Sequence, residues 1–235
     1  MSARVWAVVP AGGRGARMGS ELPKQYLQLA GASILEHTLQ RLLGEPRILG
    51  IVVALAAGDD LGRAIVAAHA PRVQVAAGGA ERCHSVLNGL DALPAADTDW
   101  ALVHDAARPC LRPADLARLI DQLAADPVGG ILGVPVRDTL KRCGADGAID
   151  ETVDRASLWH ALTPQMFRVG LLRAALREAL AAGRLVTDEA QAVELAGHTP
   201  RMVEGHGDNL KITRPEDLPL AEWYLRALAS AEGAG

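Results

Sequence analysis

The sequence predicts an α/β domain built on a mostly parallel sheet with helices on both of its faces. Short apolar runs alternate along the chain with amphipathic helical patterns, which is the order typical of parallel strands joined by crossover helices. The chain has 235 residues, a length that fits one sizeable domain. Hydrophobic residues make up 49% of the chain and charged residues 22%, which is enough to bury a full core.

Six apolar runs are the predicted strands, and helical patterns lie between and after them. The predicted strands are 5–9, 50–55, 73–76, 100–104, 130–135 and 202–204. The predicted helices are 33–43, 61–69, 81–93, 113–124, 169–182 and 188–196. Pro113 after Arg112 suits the first turn of a helix. Thr213-Arg-Pro-Glu216 has the form of a capping box and predicts a final helix that runs to about residue 229.

One segment departs from the alternating pattern. Residues 137–154 are polar and turn-rich, and Cys143-Gly-Ala-Asp-Gly147 has the composition of a turn at a tip. The segment predicts a β-hairpin arm that projects from the domain.

The loop after the first predicted strand is rich in glycine and positively charged. Its glycines and arginines are Gly12, Gly13, Gly15, Gly19, Arg14 and Arg17. Glycine lets backbone N–H groups approach an anion closely, and arginine donates a fork of N–H groups to phosphate. Lys24 adds a point charge downstream. The loop predicts a triphosphate or pyrophosphate cradle, but its spacing matches neither Walker A nor the dinucleotide fingerprint.

Two further segments follow predicted strands and should meet the loop at the same edge of the sheet. One is Gly78-Gly-Ala-Glu-Arg82 with Ser85, and the other is His104-Asp-Ala-Ala-Arg-Pro109. Asp105 is placed to hold Mg²⁺ beside a triphosphate, although an aspartate here is also a common turn cap. His104 is interpreted as a hydrogen-bonded residue at a strand end and not as a general base, because no serine or cysteine nucleophile motif accompanies it.

Composition excludes several functions. The net charge of −4 and an aromatic content of 3% argue against a nucleic-acid-binding surface. Three cysteines without paired spacing predict no disulfide framework and no zinc motif, so reduced thiols and a cytoplasmic location are expected. The N-terminus has no signal-peptide pattern, and no apolar stretch reaches the roughly 20 residues that span a bilayer.

The second half of the chain carries four turn-like segments with hydroxyls or cations. They are Thr152-Val-Asp-Arg155, Leu162-Thr-Pro-Gln165, Val186-Thr-Asp-Glu189 and Asp208-Asn-Leu-Lys-Ile-Thr213. Each alone is more often a cap or a solvated charge. Together they predict a second anion-binding site.

These motifs resemble the 2-C-methyl-D-erythritol 4-phosphate cytidylyltransferase family of the non-mevalonate isoprenoid pathway. The resemblance rests on Pro10-Ala-Gly-Gly-Arg-Gly-Ala-Arg-Met18, Pro23-Lys-Gln-Tyr26, Val103-His-Asp-Ala-Ala-Arg-Pro109, Thr152-Val-Asp-Arg155, Leu158-Trp-His-Ala-Leu-Thr-Pro-Gln165, Thr187-Asp-Glu-Ala190 and Lys211-Ile-Thr-Arg-Pro-Glu-Asp217. The motifs run in the family's order from about residue 5 to about residue 225. The resemblance implies a reaction of CTP with methylerythritol phosphate that needs Mg²⁺ and gives the CDP-alcohol and pyrophosphate.

The resemblance also implies roles for individual residues. The implied catalytic residues are Arg17, Lys24, Arg155 and Lys211. The implied nucleotide-binding residues are Pro10, Ala11, Gly12, Gly13, Gly15, Gly79, Ser85 and Ala106. The implied substrate-binding residues are Asp105, Arg108, Arg155, Thr163, Thr187 and Lys211. Of these, Arg155 and Lys211 would position the acceptor phosphate, Thr163 and Thr187 would line the methylerythritol side, and Asp105 would lie by the ribose. Asp105 would lie by the metal, and Asp208 is either a second metal ligand, by analogy with related nucleotidyltransferases, or a turn cap.

The implied fold is a Rossmann-like nucleotidyltransferase sheet of the glycosyltransferase-A-like type, forming a single domain over 1–235. The arm, at about 137–156, would make a homodimer in which Arg155 reaches the neighbouring subunit's site. Three positions depart from the usual family pattern. Gly12 replaces an alanine, Ala80 replaces an aspartate beside the base, and His84 replaces a commonly acidic residue.

Three alternatives stay open at this point. One is another cytidylyltransferase or sugar-phosphate nucleotidylyltransferase, for example one that acts on ribitol phosphate. Another is a nucleotide-binding regulator that binds CTP but releases no pyrophosphate. The third is a nicotinamide oxidoreductase, which the loop spacing disfavours.

Overall fold

The computed structural model describes residues 3–13 and 22–232 of the chain. Two of the predicted site residues, Gly15 and Arg17, lie outside these described ranges. In the described ranges each predicted strand and helix is present, with bounds that differ by a few residues from the prediction. The strand predicted at 50–55, for example, begins two residues earlier, at Ile48.

The chain alternates strands and helices in its first half and adds a hairpin and a long strand in its second. The strands are β1 (Val5–Pro10), β2 (Gln28–Leu29), β3 (Ala32–Ser33), β4 (Ile48–Leu55), β5 (Val73–Ala77), β6 (Trp100–Val103), β7 (Gly129–Pro135), β8 (Leu140–Cys143), β9 (Ile149–Val153), β10 (Trp159–Arg168) and β11 (Arg201–Glu204). The helices are α1 (Ile34–Leu43), α2 (Asp60–Ala67), α3 (Arg82–Ala92), α4 (Pro113–Leu123), α5 (Val169–Ala181), α6 (Glu189–Leu195) and α7 (Asp217–Glu232). A short 3₁₀ turn covers Lys24–Tyr26.

The central sheet has seven strands in the order β11-β7-β10-β6-β1-β4-β5. Every neighbouring pair is parallel except the two that involve β10, which runs antiparallel to both β6 and β7. The predicted mostly parallel sheet is therefore confirmed. No strand was expected at β10, because His160, Thr163 and Gln165 interrupt its apolar pattern. Thr163 and Gln165 are nevertheless buried, since they face the region where the strand ends meet.

Helices cover both faces of the sheet, as the alternating pattern predicts. Side chains along β1 point alternately to the two faces, so Val9 joins one apolar cluster and Val8 the other. The first cluster takes its helical residues from α1, α2 and α4, and the second from α3, α5 and α6. A smaller cluster joins α7 to the start of α1.

Close packing at Gly89 sets the height of α3 above the sheet. A Cβ atom built at Gly89 would lie 2.5 Å from Cγ1 of Val8, so any larger residue would push the helix away. Gly89 therefore lets α3 approach β1 closely. This contact helps to bring Arg82, the first residue of α3, to the carboxyl edge of the sheet.

The predicted arm is a hairpin of β8 and β9 outside the central sheet. The two strands pair antiparallel in a sheet of their own. Its turn contains Gly147 with a φ of +83°, a conformation that glycine adopts at little cost. Most arm residues are exposed, so the described chain buries few of their side chains.

The prediction for the cap of the last helix was wrong in its acidic partner. Asp217, not Glu216, accepts hydrogen bonds from the backbone N–H groups of Thr213 and Arg214 and from the Thr213 hydroxyl. The three-residue spacing of a capping box is therefore replaced by a spacing of four, and α7 begins at Asp217, three residues later than a capping box at Thr213 predicts. A complete capping box is present instead at the start of α1, between Ser33 and Glu36.

In the described part of the chain, no helix combines the length and apolarity needed to cross a lipid bilayer.

All three cysteines are free thiols, with Cys83 and Cys110 buried and Cys143 exposed. Burial raises the pKa of the Cys110 thiol to about 12, which agrees with its interpretation as a packing residue.

Candidate active site

A cavity of about 260 Å³ opens at the carboxyl ends of β1, β5 and β6. It is lined by Pro10, Ala11, Gly12, Gly13, Lys24, Gln25, Gly79, Ala80, Glu81, Arg82, Ser85, Asp105, Ala106, Ala107 and Lys211. Seven of the eight predicted nucleotide-binding residues are in this lining, and the eighth, Gly15, lies outside the described residues. Three larger openings in the described part of the chain lack the glycine-rich lining: those of about 550 and 1040 Å³ lie against α7, and one of about 450 Å³ lies beside β11.

The glycine-rich wall of the cavity is held by side chains that bond to its backbone. Buried Gln25 donates from Nε2 to the carbonyl of Ala11 at 2.8 Å. On the opposite wall, the N–H of Gly79 donates to Oγ of Ser85 at 2.9 Å. A Cβ atom built at Gly12 would lie 3.6 Å from its nearest neighbour, the backbone nitrogen of Ala56, so the alanine more usual in the family would also fit there. The backbone of this wall is thus fixed before any ligand arrives.

Asp105 lies at the centre of the charged part of the cavity. Its Oδ1 accepts a hydrogen bond from Nε of Arg82 at 3.0 Å, and its Oδ2 lies 2.7 Å from Nζ of Lys211 and 3.8 Å from Nε of Arg108. Burial alone would raise the pKa of this carboxyl, but the charges of Arg82 and Lys211 outweigh burial and hold the pKa well below its usual range. Asp105 is therefore ionised and fixed by three cations.

His104 is fully buried behind Asp105 and is neutral. Its Nδ1 accepts from the Thr163 hydroxyl at 2.9 Å, and its Nε2 donates to the Arg108 carbonyl at 3.0 Å. The backbone N–H of Asp105 in turn donates to Oγ1 of Thr163 at 3.1 Å. Burial lowers the pKa of His104 to about 4. The interpretation of His104 as a hydrogen-bonded strand-end residue is confirmed, since neither ring nitrogen faces the cavity.

The segment around Asn209 is tied to the same centre. Arg108 donates to the Asn209 carbonyl at 2.6 Å, and Nδ2 of Asn209 donates to the Thr163 carbonyl at 2.7 Å. Lys24 donates from Nζ to the carbonyl of Ile212 at 2.8 Å. These bonds bring Lys24 and Lys211 to one cavity, although 187 residues separate them in the sequence. Thr163 contacts the centre from behind and does not line the cavity.

Arg82 and Glu189 form a buried ion pair for which no role follows from the sequence. Arg82 donates to Oε1 of Glu189 at 2.6 Å and to Oε2 at 3.0 Å, and it also holds Asp105. Burial raises the pKa of Glu189, and the guanidinium of Arg82 opposes that rise. A sequence signal was present, because Arg82 ends the Gly78-Gly-Ala-Glu-Arg82 segment, Glu189 lies in Thr187-Asp-Glu-Ala190, and each begins a helix. Their pairing was not predictable, because 107 residues separate them.

Of the six predicted substrate-binding residues, only Asp105 and Lys211 line the cavity. Arg108 and Thr163 contact its centre from behind, and the other two lie away from it. Arg155 is exposed on the arm, where it donates to Oγ1 of Thr139 at 3.4 Å. Thr187 is also exposed, and its hydroxyl donates to Oε1 of Gln191 at 3.2 Å. Arg17 lies outside the described residues. A single described chain therefore assembles the nucleotide side of the predicted site more completely than the acceptor side.

The two predicted metal ligands differ in whether a carboxylate oxygen is left without a hydrogen-bond or ion-pair partner. Both oxygens of Asp105 face cations. Asp208 lines the neighbouring groove and accepts from Nε of Arg112 at 2.7 Å with Oδ2, whereas its Oδ1 is buried without a hydrogen-bond partner. The described residues contain no cluster of three acidic, histidine or cysteine ligands. One free carboxylate oxygen fits a Mg²⁺ ion that takes most of its ligands from phosphates and water.

The fold, with a glycine-lined cationic cavity at the carboxyl edge of its sheet, is that of an α/β nucleotidyltransferase. The model of the 2-C-methyl-D-erythritol 4-phosphate cytidylyltransferase family matches residues 5–227. A protein of that name from Ectopseudomonas mendocina (strain ymp) is 59% identical over 221 residues, which cover 93% of this chain and 94% of that protein. Another, from Pseudomonas putida (strain W619), is 56% identical over 227 residues, which cover 95% of each chain.

A solved structure gives the same result. The crystal structure of a 4-diphosphocytidyl-2C-methyl-D-erythritol synthase matches with a TM-score of 0.83 and 40% sequence identity, and the match covers 95% of this chain and 100% of that one. The chain belongs to the 2-C-methyl-D-erythritol 4-phosphate cytidylyltransferase family and is an enzyme of the nucleotidyltransferase class.

Proposed function

We propose that this enzyme transfers a cytidylyl group from CTP to 2-C-methyl-D-erythritol 4-phosphate in isoprenoid precursor biosynthesis. The products are 4-diphosphocytidyl-2-C-methyl-D-erythritol and pyrophosphate. The observation that carries the proposal is the cavity itself, where Lys24, Lys211 and the backbone of Gly12 and Gly13 surround one space in a member of this family. Such a space suits a ligand with several negative charges.

The nucleophile is the phosphate of the acceptor. A phosphate monoester has a second pKa of about 6, so it is mostly dianionic at neutral pH and needs no general base. Its oxygen forms a bond to the α-phosphorus of CTP while the bond from that phosphorus to the bridging oxygen breaks, and pyrophosphate leaves with the electron pair. The neutral, buried His104 is consistent with a reaction that uses no imidazole base.

Repulsion between the dianion and the triphosphate is the main obstacle to this reaction. Preorganised hydrogen-bond donors and cations that stabilise the charge developing in the transition state offset most of this repulsion, as in phosphoryl transfer generally. Lys24 and Arg17 serve the triphosphate in this proposal, together with the N–H groups of the loop. The cytosine and ribose are held by the cavity walls at Pro10, Ala11, Gly79, Ser85 and Ala106, which line the same cavity as the loop.

The acceptor side is completed by a second subunit in this proposal. Lys211 and Arg155 hold the acceptor phosphate, Thr163 and Thr187 lie on the methylerythritol side, Asp105 lies by the metal and the ribose, and Arg108 supports Asp105. Exposed Arg155 lies on a projecting hairpin, a geometry that suits contact with a neighbouring chain. The arm at about 137–156 would then make the homodimer, while 1–235 remain one domain.

Mg²⁺ is the divalent cation of the proposed reaction. When bound, it neutralises phosphate charge and polarises phosphoryl oxygens. Asp208 would offer its unpartnered Oδ1, and Asp105 would have to exchange a cation contact for the metal. We place the enzyme in the cytoplasm because free thiols, such as exposed Cys143, persist in reducing compartments.

The test is pyrophosphate release from CTP with Mg²⁺, with and without 2-C-methyl-D-erythritol 4-phosphate. Release that needs both CTP and this acceptor is expected, and ATP, GTP and UTP serve as controls. Release with ribitol 5-phosphate but not with methylerythritol phosphate would overturn the acceptor and keep the reaction class. CTP binding without release for any acceptor would overturn the catalytic proposal.

A further inference from the structure

A continuous chain of charges runs behind the cavity from α6 to Lys211. Both oxygens of Glu189 accept from Arg82, at 2.6 and 3.0 Å. The Nε of Arg82 donates to Oδ1 of Asp105 at 3.0 Å, and Oδ2 of Asp105 lies 2.7 Å from Nζ of Lys211. Glu189 is only 1% exposed, so its contacts are made inside the protein.

In this series of ion pairs, each side chain is oriented by the side chain before it. The guanidinium is planar, and its donors form a rigid fork. Two of its N–H groups are set by the two oxygens of Glu189, which determines the direction in which Nε points. That direction sets Oδ1 of Asp105 and leaves Oδ2 facing Lys211. Rotation of the fork would therefore move the carboxylate and the lysine together.

The start of α6 has other anchors and does not depend on the ion pair. The carboxylate of Asp188 accepts from the N–H of Gln191 at 2.9 Å as an N-cap. Gln165 on β10 donates to Asp188 at 2.9 Å and accepts from the N–H of Ala190 at 2.9 Å. These bonds hold the helix, so the buried carboxylate of Glu189 is available for another task.

We propose that Glu189 is a positioning residue of the transfer reaction, which acts through Arg82 and Asp105 to orient Lys211 toward the acceptor phosphate. This inference rests on the function proposed above for Lys211. Glu189 itself does not line the cavity, and it touches neither substrate. Arg82 and Asp105 line the cavity, but the series of contacts ends on the acceptor-side lysine and does not pass through Lys24 or the glycine-rich loop, so we expect the acceptor side to lose more than the nucleotide side when it is broken.

The test compares Glu189→Gln with wild type and with Glu194→Gln. Glu194 is exposed on the same helix, so Glu194→Gln is a matched control with unchanged kinetics. In Glu189→Gln we expect kcat/KM for methylerythritol phosphate to fall about 10- to 100-fold, since small displacements of a positioned group have effects of this size. The Kd for CTP, measured by direct titration, should change less than about twofold, a range well below a tenfold affinity step.

A purely structural role predicts a different result. It would lower the Tm and the fraction of folded enzyme but leave both kinetic constants of the folded fraction, counted by CTP-binding sites, at the wild-type value. That result would overturn the inference. A loss of CTP affinity as large as the loss of acceptor efficiency would also overturn the inference, because the series of ion pairs would then act on nucleotide binding.

Arg82→Lys carries the test if Glu189→Gln does not fold. Lysine keeps a cation opposite Glu189 but cannot hold two carboxylates with one planar fork. The same selective loss of acceptor efficiency is expected, and wild-type efficiency would contradict the inference. A wild-type enzyme that is silent with this acceptor overturns both proposals, whereas an active wild type with an equally active Glu189→Gln overturns this one alone.

Discussion

The wall of the nucleotide cavity and the projecting arm both carry ion pairs, but they hold them in opposite environments. Arg82 pairs with Asp105 and Glu189, whose side chains are 8% and 1% exposed. On the arm, Arg142 pairs with Glu151, and their side chains are 63% and 57% exposed. Charges in the cavity wall are therefore fixed by the fold, whereas charges on the arm are free to reorient toward whatever approaches them.

This difference indicates how the two substrates are served. A preorganised electrostatic site needs donors that do not have to move when charge develops. The cavity wall meets that condition within one chain through Asp105 and Lys211. The arm meets this condition only if contact with another surface fixes the side chain of Arg155. Four predictions test this contrast, from the largest expected effect to the smallest.

Lys24→Ala should cause the largest loss. Removing one preorganised donor typically lowers turnover by about 10²–10³-fold, and Lys24 lies in the fixed wall. Steady-state kcat with saturating CTP and acceptor measures the effect. Lys141→Ala on the exposed arm is the matched control with near wild-type turnover. Lys24→Ala with wild-type kcat and an intact fold would remove Lys24 from the catalytic set, and Arg17→Ala is expected to behave as Lys24→Ala does.

Acidification should lower the free energy of unfolding, because the buried side chain of His104 is neutral in the folded protein. Its pKa is about 4 in the fold and about 6.5 when unfolded, so the unfolded chain binds more protons between these values. The contribution of His104 to the free energy of unfolding is therefore fully present above about pH 6.5. It falls by about 3 kcal/mol as the pH falls toward 4. Urea midpoints across this range measure the loss.

His104→Asn supplies the comparison for that prediction. The variant should be less stable at pH 7, because the bonds of His104 to Thr163 and Arg108 are lost, but its stability should depend less on pH between 6.5 and 4. His198→Asn changes an exposed histidine and should keep the wild-type slope. Equal slopes for wild type and His104→Asn would contradict a buried neutral imidazole.

Arg155→Ala should affect the acceptor and leave CTP binding unchanged. A hydrogen bond to a charged group contributes about 1.5–3 kcal/mol, which corresponds to a rise of roughly 10- to 100-fold in KM for methylerythritol phosphate. Titration of CTP measures the other half of the prediction. A parallel loss of CTP affinity would place Arg155 on the nucleotide side.

Subunit mixing tests whether Arg155 acts across a dimer. Arg155→Ala and Lys24→Ala subunits each retain the residue that the other lacks, and at acceptor concentrations well below KM each variant alone has little activity. After verified exchange, some mixed dimers would contain one complete site, and partial activity should return. No recovery would count against sharing, as would a protein that sedimentation shows to be a monomer at assay concentrations.

Arg142→Ala should have the smallest effect. Exposed ion pairs contribute about 0–1 kcal/mol, and both partners here are largely exposed. Stability and kcat should therefore stay close to wild type, which also makes this variant the control for Arg155→Ala. A loss of activity comparable to that of Arg155→Ala would mean that the arm acts as a folded unit and not through one residue.

Much of the fold and of the nucleotide side was predictable from the sequence. Glycines and Asp105 follow apolar strands, and parallel strands bring their carboxyl ends to one edge, so their meeting required no knowledge of distant contacts. The strand β10 was not predictable in the same way, because polar Thr163 and Gln165 are buried by partners from elsewhere in the chain.

Long-range pairing limited the rest of the prediction. Glu189 has the sequence context of an ordinary acidic residue in a first helical turn, and only the packed structure places it against Arg82. The helix cap at Asp217 shows a smaller limit of the same kind, because two adjacent acidic residues compete for one role. Arg155 remains a prediction from resemblance, since its side chain donates a hydrogen bond to Thr139 and does not line the cavity.

The 107 residues between Arg82 and Glu189 also constrain the order in which the molecule assembles. Contacts between residues that are close in the chain form sooner than contacts that must close a long loop. The parallel pairs among β1, β4 and β5 close crossover connections of 37 and 17 residues (11–47 and 56–72), whereas the ion pair must await β10 and α6. During synthesis, the chain therefore gains an apolar core before it gains a working charge array, and its chemistry is the last property to be acquired.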